Sequence, residues 1–236
     1  FADRLRLGEA CRRVDPAEKT VLTASGDVIV YDHLLATGPL DRFVADQLEG
    51  ASPAMIEAAG RLKHSGSVIH GLGFAGAPPD PRCWMYFPEA DCPFYRVTNF
   101  HNYSPLNTPD PDGMIPRSRA FMTETSFSAH KPADFAGLER ATVDGLVATT
   151  LLAPADVAGQ NASWEMRVDY AYPIPCLERD AALAVLQPAL ERLGIQSRGR
   201  FGGWKYEVGN MDHSFMQGVE WAERMVSGAA ETVYTL

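Results

Sequence analysis

The sequence predicts a mixed α+β fold built on an antiparallel sheet, and three observations carry that expectation. Aromatic and β-branched runs recur between residues 67 and 127, a strand at 164–172 alternates cleanly, and leucines repeat at helical spacing over 183–193. In chain order, KTVLTASGDVIVY at 19–31 reads as two short strands around a Ser25-Gly26 turn. YDHLLATGP adds a third, ended by Pro39, which cannot donate to a ladder. Residues 41–63 read as helix in two pieces, broken near Ser52-Pro53. SVIHGLGF, WMYFP, FYRVTNF and SRAFMTETSF are the sheet strands, with a hairpin pairing 84–88 with 94–98. That register sets Tyr86 opposite Arg96 and Trp84 opposite Thr98.

Residues 134–150 fit a helix with Phe135, Leu138, Thr142 and Leu146 on one side. In WEMRVDYAY, Met166, Val168, Tyr170 and Tyr172 share a face, and Pro173 and Pro175 close the strand. Leu183, Leu186, Leu190 and Leu193 then form a helical stripe ended by Gly194, with Pro188 expected to kink the helix or delay its start. A short strand over GIQSRGRFG runs into a glycine-rich turn. The last helix is expected from about Asp212 to Ser227, with Phe215, Met216, Val219 and Met225 inward and Gly228 behind it.

The chain has 236 residues, 46% hydrophobic and 22% charged, enough for one large domain or two modest ones. Its 21 basic and 30 acidic residues leave a net charge of −9. That excludes a general nucleic-acid binder, which needs a basic surplus, and disfavours anionic membrane surfaces. No apolar run approaches the roughly 20 residues of a membrane span. The four cysteines lack C-x-x-C spacing and the six histidines lack an H-x-x-x-H pair, so no metal site is expected. Reduced thiols in a cytoplasm are the default reading.

Gly71-Leu72-Gly73-Phe74-Ala75-Gly76 satisfies G-x-G-x-x-G. That motif delivers a pyrophosphate to a helix beginning within the glycines. Here Pro78, Pro79 and Pro81 follow and no amphipathic run opens, so a glycine-rich strand end is the better reading.

The densest polar cluster is Ser197–Asn210, where Arg198, Arg200 and Lys205 alternate with glycines and aromatics. Glycines let backbone amides approach a ligand, and the planar guanidinium suits phosphate oxygens. The cluster runs into the N-terminus of the last helix, whose dipole favours a negative group. Solvated surface charge is the plain alternative. Trp84, Tyr86, Tyr95 and Arg96 form a second group, and Tyr170 and Tyr172 a third; packing explains either on pattern alone. Asn210 and Asp212 could simply cap the helix. The residues by themselves support anion binding near a mixed sheet and no specific reaction.

WMYFPEADCPFYRVTNFHNYSP, AYPIP and GRFGGWKYEVGNMDHSFMQGVEW, in this order, resemble the UDP-galactopyranose mutases, especially the eukaryotic type, and their relatives among flavin-dependent amine-oxidase-like proteins. YDHLLATGPL resembles the strand and turn that return to the flavin domain there. In that family reduced flavin N5 attacks the anomeric carbon of the sugar and displaces UDP, and the ring recloses as a furanose. The resemblance implies that Arg96 and Arg200 grip the diphosphate and that Tyr172 and Tyr206 add phenol hydrogen bonds. It places Asn210 near the sugar–diphosphate junction and Trp84 and Tyr86 along the pocket. Gly209, Met211, Asp212, His213 and Ser214 would face the flavin's pyrimidine edge.

The resemblance further implies that 1–40 belongs to returning strands of a Rossmann-like FAD domain, 41–190 to a substrate domain and 191–236 to the C-terminal return. The family's flavin pyrophosphate loop precedes this region, so the chain by itself is expected to hold little FAD and to be inactive alone. A UDP-sugar is the expected partner, and homo-oligomerisation is left open. The alternatives are an FAD-dependent oxidoreductase of amine-oxidase type and a non-catalytic sheet domain.

Overall fold

The computed structural model describes residues 2–76, 80–108 and 118–236. Two compact units form, Phe1–His64 with Tyr172–Leu236, and Ser65–Ala171. The terminal unit opens with an antiparallel sheet of β1 (Cys11–Asp15), β2 (Thr20–Thr23) and β3 (Val28–Val30), the last two joined by the expected Ser25-Gly26 turn. After β4 (Leu34–Ala36) come α1 (Leu40–Arg42), which continues as a π-helical turn over Phe43–Gln47, and α2 (Pro53–Gly60). The break between these helices is local chemistry. Ser52 Oγ accepts the Met55 N–H at 3.3 Å, and Pro53 sits where a helix has no use for its missing donor.

The sheet unit is built on β5 (His64–Ala75), β6 (Trp84–Tyr86), β7 (Arg96–Asn99), β8 (Ser118–Phe127) and β9 (Gln160–Pro173), in the order β6-β7-β8-β5-β9. The β6–β7 hairpin adopts the expected register, Tyr86 against Arg96 and Trp84 against Thr98. One sheet face is buried beneath α3 (Leu138–Ala148), where Val143 and Leu146 meet Leu72, Phe74, Val97 and Phe121. Burying a side chain such as Leu146 contributes about 2 kcal/mol. The helix starts at Leu138, so Phe135 precedes it and packs edge-to-face on Phe127 instead.

The glycine motif lies in β5 and just beyond it, and is no phosphate loop. A Cβ on Gly73 would stand 2.7 Å from Asn161 Oδ1 and 2.9 Å from the Ala162 Cβ. Glycine is there because β9 passes close. Pro78 and Pro79 lie outside the described residues.

The chain returns through α4 (Arg179–Arg192), β10 (Ile195–Ser197), α5 (Gly199–Gly202) and α6 (Met211–Ser227). β10 pairs in parallel with β4, and α2 packs on α4. By compactness the division falls at 64/65 and 171/172, with 41–63 and 172–190 in the same unit as the chain ends. Pro188 neither ends nor delays α4: the carbonyl it leaves without a partner belongs to Ala184, on the exposed side. The expected inward face of α6 is the larger correction. Phe215 is 71% exposed and Met216 41%, while Gln217 is the buried residue. The helix docks through polar groups: Gln217, Glu220, Trp221 and Arg224 all hydrogen-bond inward.

Among the described residues, no helix is long and apolar enough to cross a membrane.

Candidate functional site

Trp84, Tyr86 and Arg96 belong to the sheet unit, on the face opposite α3. Trp84 and Tyr86 are 53% and 65% exposed, so they are not core. Their rings stack at 6.2 Å and 23°. Arg96 Cζ lies 4.9 Å from the Trp84 ring, a cation–π arrangement. The register also sets Arg96 against Glu124 of β8. Arg96 Nε donates to Glu124 Oε1 at 2.7 Å, and Tyr95 Oη donates to Glu124 Oε2 at 2.8 Å. Glu124 is nearly buried, so this carboxylate balances much of the arginine's charge and fixes its fork. Sequence reasoning missed Glu124, although a lone carboxylate in the middle of SRAFMTETSF was the available signal.

Tyr172, Arg200, Tyr206, Gly209 and Asn210 belong to the terminal unit. Arg200 follows β10 on α5, and its Nε donates to the Gly209 carbonyl at 2.7 Å. Its Cζ lies 4.8 Å from the Tyr172 ring, and the Tyr172 and Tyr206 rings are 5.9 Å apart. One half-buried guanidinium and two phenols are thus grouped at the head of α6. Arg179 holds the neighbouring turn, donating to both Glu207 oxygens at 2.8 and 3.0 Å. Burial pushes the Glu207 carboxyl up, but the Arg179 bonds and a backbone amide outweigh it and hold it below its ordinary value.

The other two cations of the cluster have different duties. Arg198 is buried, and its Nε donates to Glu231 Oε2 at 2.5 Å. Lys205 donates to the Thr235 carbonyl and lies 5.8 Å from the Tyr234 ring. A Cβ on Gly203 would stand 2.6 Å from Tyr234, so that glycine admits the ring. Arg198 and Lys205 anchor the C-terminal tail.

Asn210 occupies the N-cap of α6, yet its side chain makes no capping bond. Met211 and Asp212 are exposed, and Ser214 N–H bonds the Asn210 carbonyl at 2.9 Å. His213 Nδ1 is buried without a hydrogen-bond partner. The first turn of a 17-residue helix, an uncommitted amide and an orphaned ring nitrogen suit the polar edge of a heteroaromatic group.

No protein-family model matches the chain. A solved reduced UDP-galactopyranose mutase matches it at 36% identity with a TM-score of 0.87, covering 94% of this chain and 46% of that one. A Pyrococcus furiosus protein matches at 10% identity and a TM-score of 0.56. An Exiguobacterium protein provisionally named a protoporphyrinogen oxidase matches at 12% and 0.53. The latter two are likenesses of fold. The chain spans less than half the length of all three.

Proposed function

This chain is a UDP-galactopyranose mutase-like member of the flavoprotein superfamily, and from that premise we propose that it forms the diphosphate-binding half of an FAD-dependent enzyme acting on a nucleotide-sugar. The observation that carries the reading is Arg200, fixed on the Gly209 carbonyl with Tyr172 and Tyr206 around it. A guanidinium offers paired donors to a phosphate oxygen edge, and its charge-assisted bonds are about twice as strong as neutral ones. Arg200 enters the interaction already oriented, so little side-chain entropy is lost on binding. The two phenols donate to remaining phosphate oxygens. Asn210, free of capping duty, is assigned to the junction of sugar and diphosphate. For Arg96, on the sheet unit, an anion-binding role carries a smaller weight, because Glu124 already balances its charge.

The head of α6 fits a flavin edge: its amides favour partial negative charge, and Met211–Ser214 with Gly209 would hold it. When bound and reduced, FAD supplies the nucleophilic nitrogen for exchange at the anomeric carbon. The residues here hold the departing diphosphate in place while its negative charge grows, which is electrostatic stabilisation by preorganised donors.

The Arg96–Glu124 pair favours a second reading, an oxidoreductase of amine-oxidase type with a substrate that carries no diphosphate. Calorimetry on the full-length, flavin-loaded protein separates the two. UDP is expected to bind at least about 30-fold tighter than uridine, the effect of one or two charge-assisted contacts. Equal affinities would favour the oxidoreductase.

A further inference from the structure

The segment that carries Arg200 and Tyr206 has its two ends tied together by one buried side chain. Gln217 of α6 is 1% exposed. Its Oε1 accepts the Gly199 N–H at 2.7 Å, and its Nε2 donates to the Val208 carbonyl at 2.8 Å. The Gly199 N–H can only donate and the Val208 carbonyl can only accept, so the amide has one satisfying orientation. Arg200 is the residue after the first tie, and Gly209, whose carbonyl holds Arg200 Nε, is the residue after the second. Both ends of the arginine's support are therefore set by the same amide.

The position is unusual for its helix. α6 exposes Met211, Phe215 and Val226 and buries Gln217, the reverse of an ordinary amphipathic surface helix. A buried amide costs free energy unless both its halves are bonded, and both are. A leucine or methionine would pack there without that requirement.

We infer that Gln217 is a positioning residue for diphosphate recognition, fixing the Gly199–Gly209 segment so that Arg200 is presented in a single orientation. The inference rests on the proposed diphosphate role of Arg200 and assigns Gln217 no contact with substrate. Gln217 acts through Arg200, so its effect on UDP binding has to vanish when Arg200 is absent.

The test is a double-mutant cycle with hydrogen exchange, on the full-length protein. Gln217→Met is expected to raise the Kd for UDP about tenfold or more, because small displacements of a positioned group have large effects. In an Arg200→Ala background the same substitution is expected to change Kd less than about twofold. In the ligand-free protein, amide exchange at Gly199 is expected to quicken roughly tenfold in Gln217→Met, matching one lost hydrogen bond. Gln217→Glu keeps the acceptor and is expected to keep Gly199 protected; it also serves if the methionine variant does not fold. Additive losses in the cycle, or unchanged Gly199 exchange in Gln217→Met, overturn the inference. If the unsubstituted protein shows no UDP binding, the diphosphate reading fails and this inference falls with it; quickened Gly199 exchange would then show that the tie itself exists.

Discussion

Arg200→Ala is expected to weaken UDP binding by about 2–3 kcal/mol, or roughly 30- to 150-fold, the range for a charge-assisted contact. The substitution also removes the cation from the Tyr172 ring and releases the Gly209 carbonyl. Both changes lie within the terminal unit, and neither touches its buried core. Thermal stability should therefore move little while UDP affinity falls, and calorimetry beside a melting curve reads both. The salt dependence of binding should also flatten, because one cation fewer faces the phosphate. Unchanged affinity would remove Arg200 from the binding role.

Glu231→Gln is expected to act the other way, on stability. The Glu231 side chain is 5% exposed and accepts from Arg198 at 2.5 and 3.0 Å and from Arg224 at 2.8 Å. Neutralising it leaves a buried guanidinium without its main counter-charge, a loss of about 3 kcal/mol. For a chain of this size that lowers Tm by roughly 6–12 °C. Burial raises the Glu231 carboxyl, but the two arginines outweigh it and hold it below its reference value of 4.5. A carboxyl lowered by folding contributes stability that is present above its unfolded value and is lost as pH falls through the folded one. The stability gap between Glu231→Gln and the unsubstituted protein should therefore be full near neutrality and shrink as pH drops below 4.5. Denaturant melts across pH read it directly, and a gap independent of pH would contradict the ion-pair account.

The elements that periodicity could reveal were legible in the sequence. Alternation locates β6, β7, β8 and β9, and the hairpin loop length sets Tyr86 against Arg96, the register observed. The proline stops around 173–175 and the Ser52-Pro53 break followed from backbone chemistry alone. α6 was not legible in the same way. Its apolar residues suggested an inward Phe215 face, but the helix docks through Gln217, Glu220 and Arg224, whose hydrogen bonds go to backbone and tail. A fully bonded polar face looks like a solvated one when only hydropathy is read.

The candidate site divided along similar lines. Arg200, Tyr172 and Tyr206 were proposed from their strings, and they are grouped at the head of α6. Arg198 and Lys205, cationic like Arg200 and close to it in sequence, are tail anchors. Charge type and spacing cannot separate a ligand cation from a structural one. Only a partner such as Glu231, more than thirty residues away in sequence, does so. Gln217 had no motif to announce it and Glu124 only its place as the lone carboxylate of β8, since each matters through a contact made only on folding.

We propose that this chain supplies the diphosphate grip of a nucleotide-sugar mutase. The most direct measurement reduces the full-length, flavin-loaded protein with dithionite, supplies UDP-galactofuranose and separates the sugar nucleotides chromatographically. UDP-galactopyranose is expected to accumulate, and much more slowly with Arg200→Ala. A folded, flavin-loaded protein that leaves UDP-galactofuranose unchanged would rule out the mutase reading.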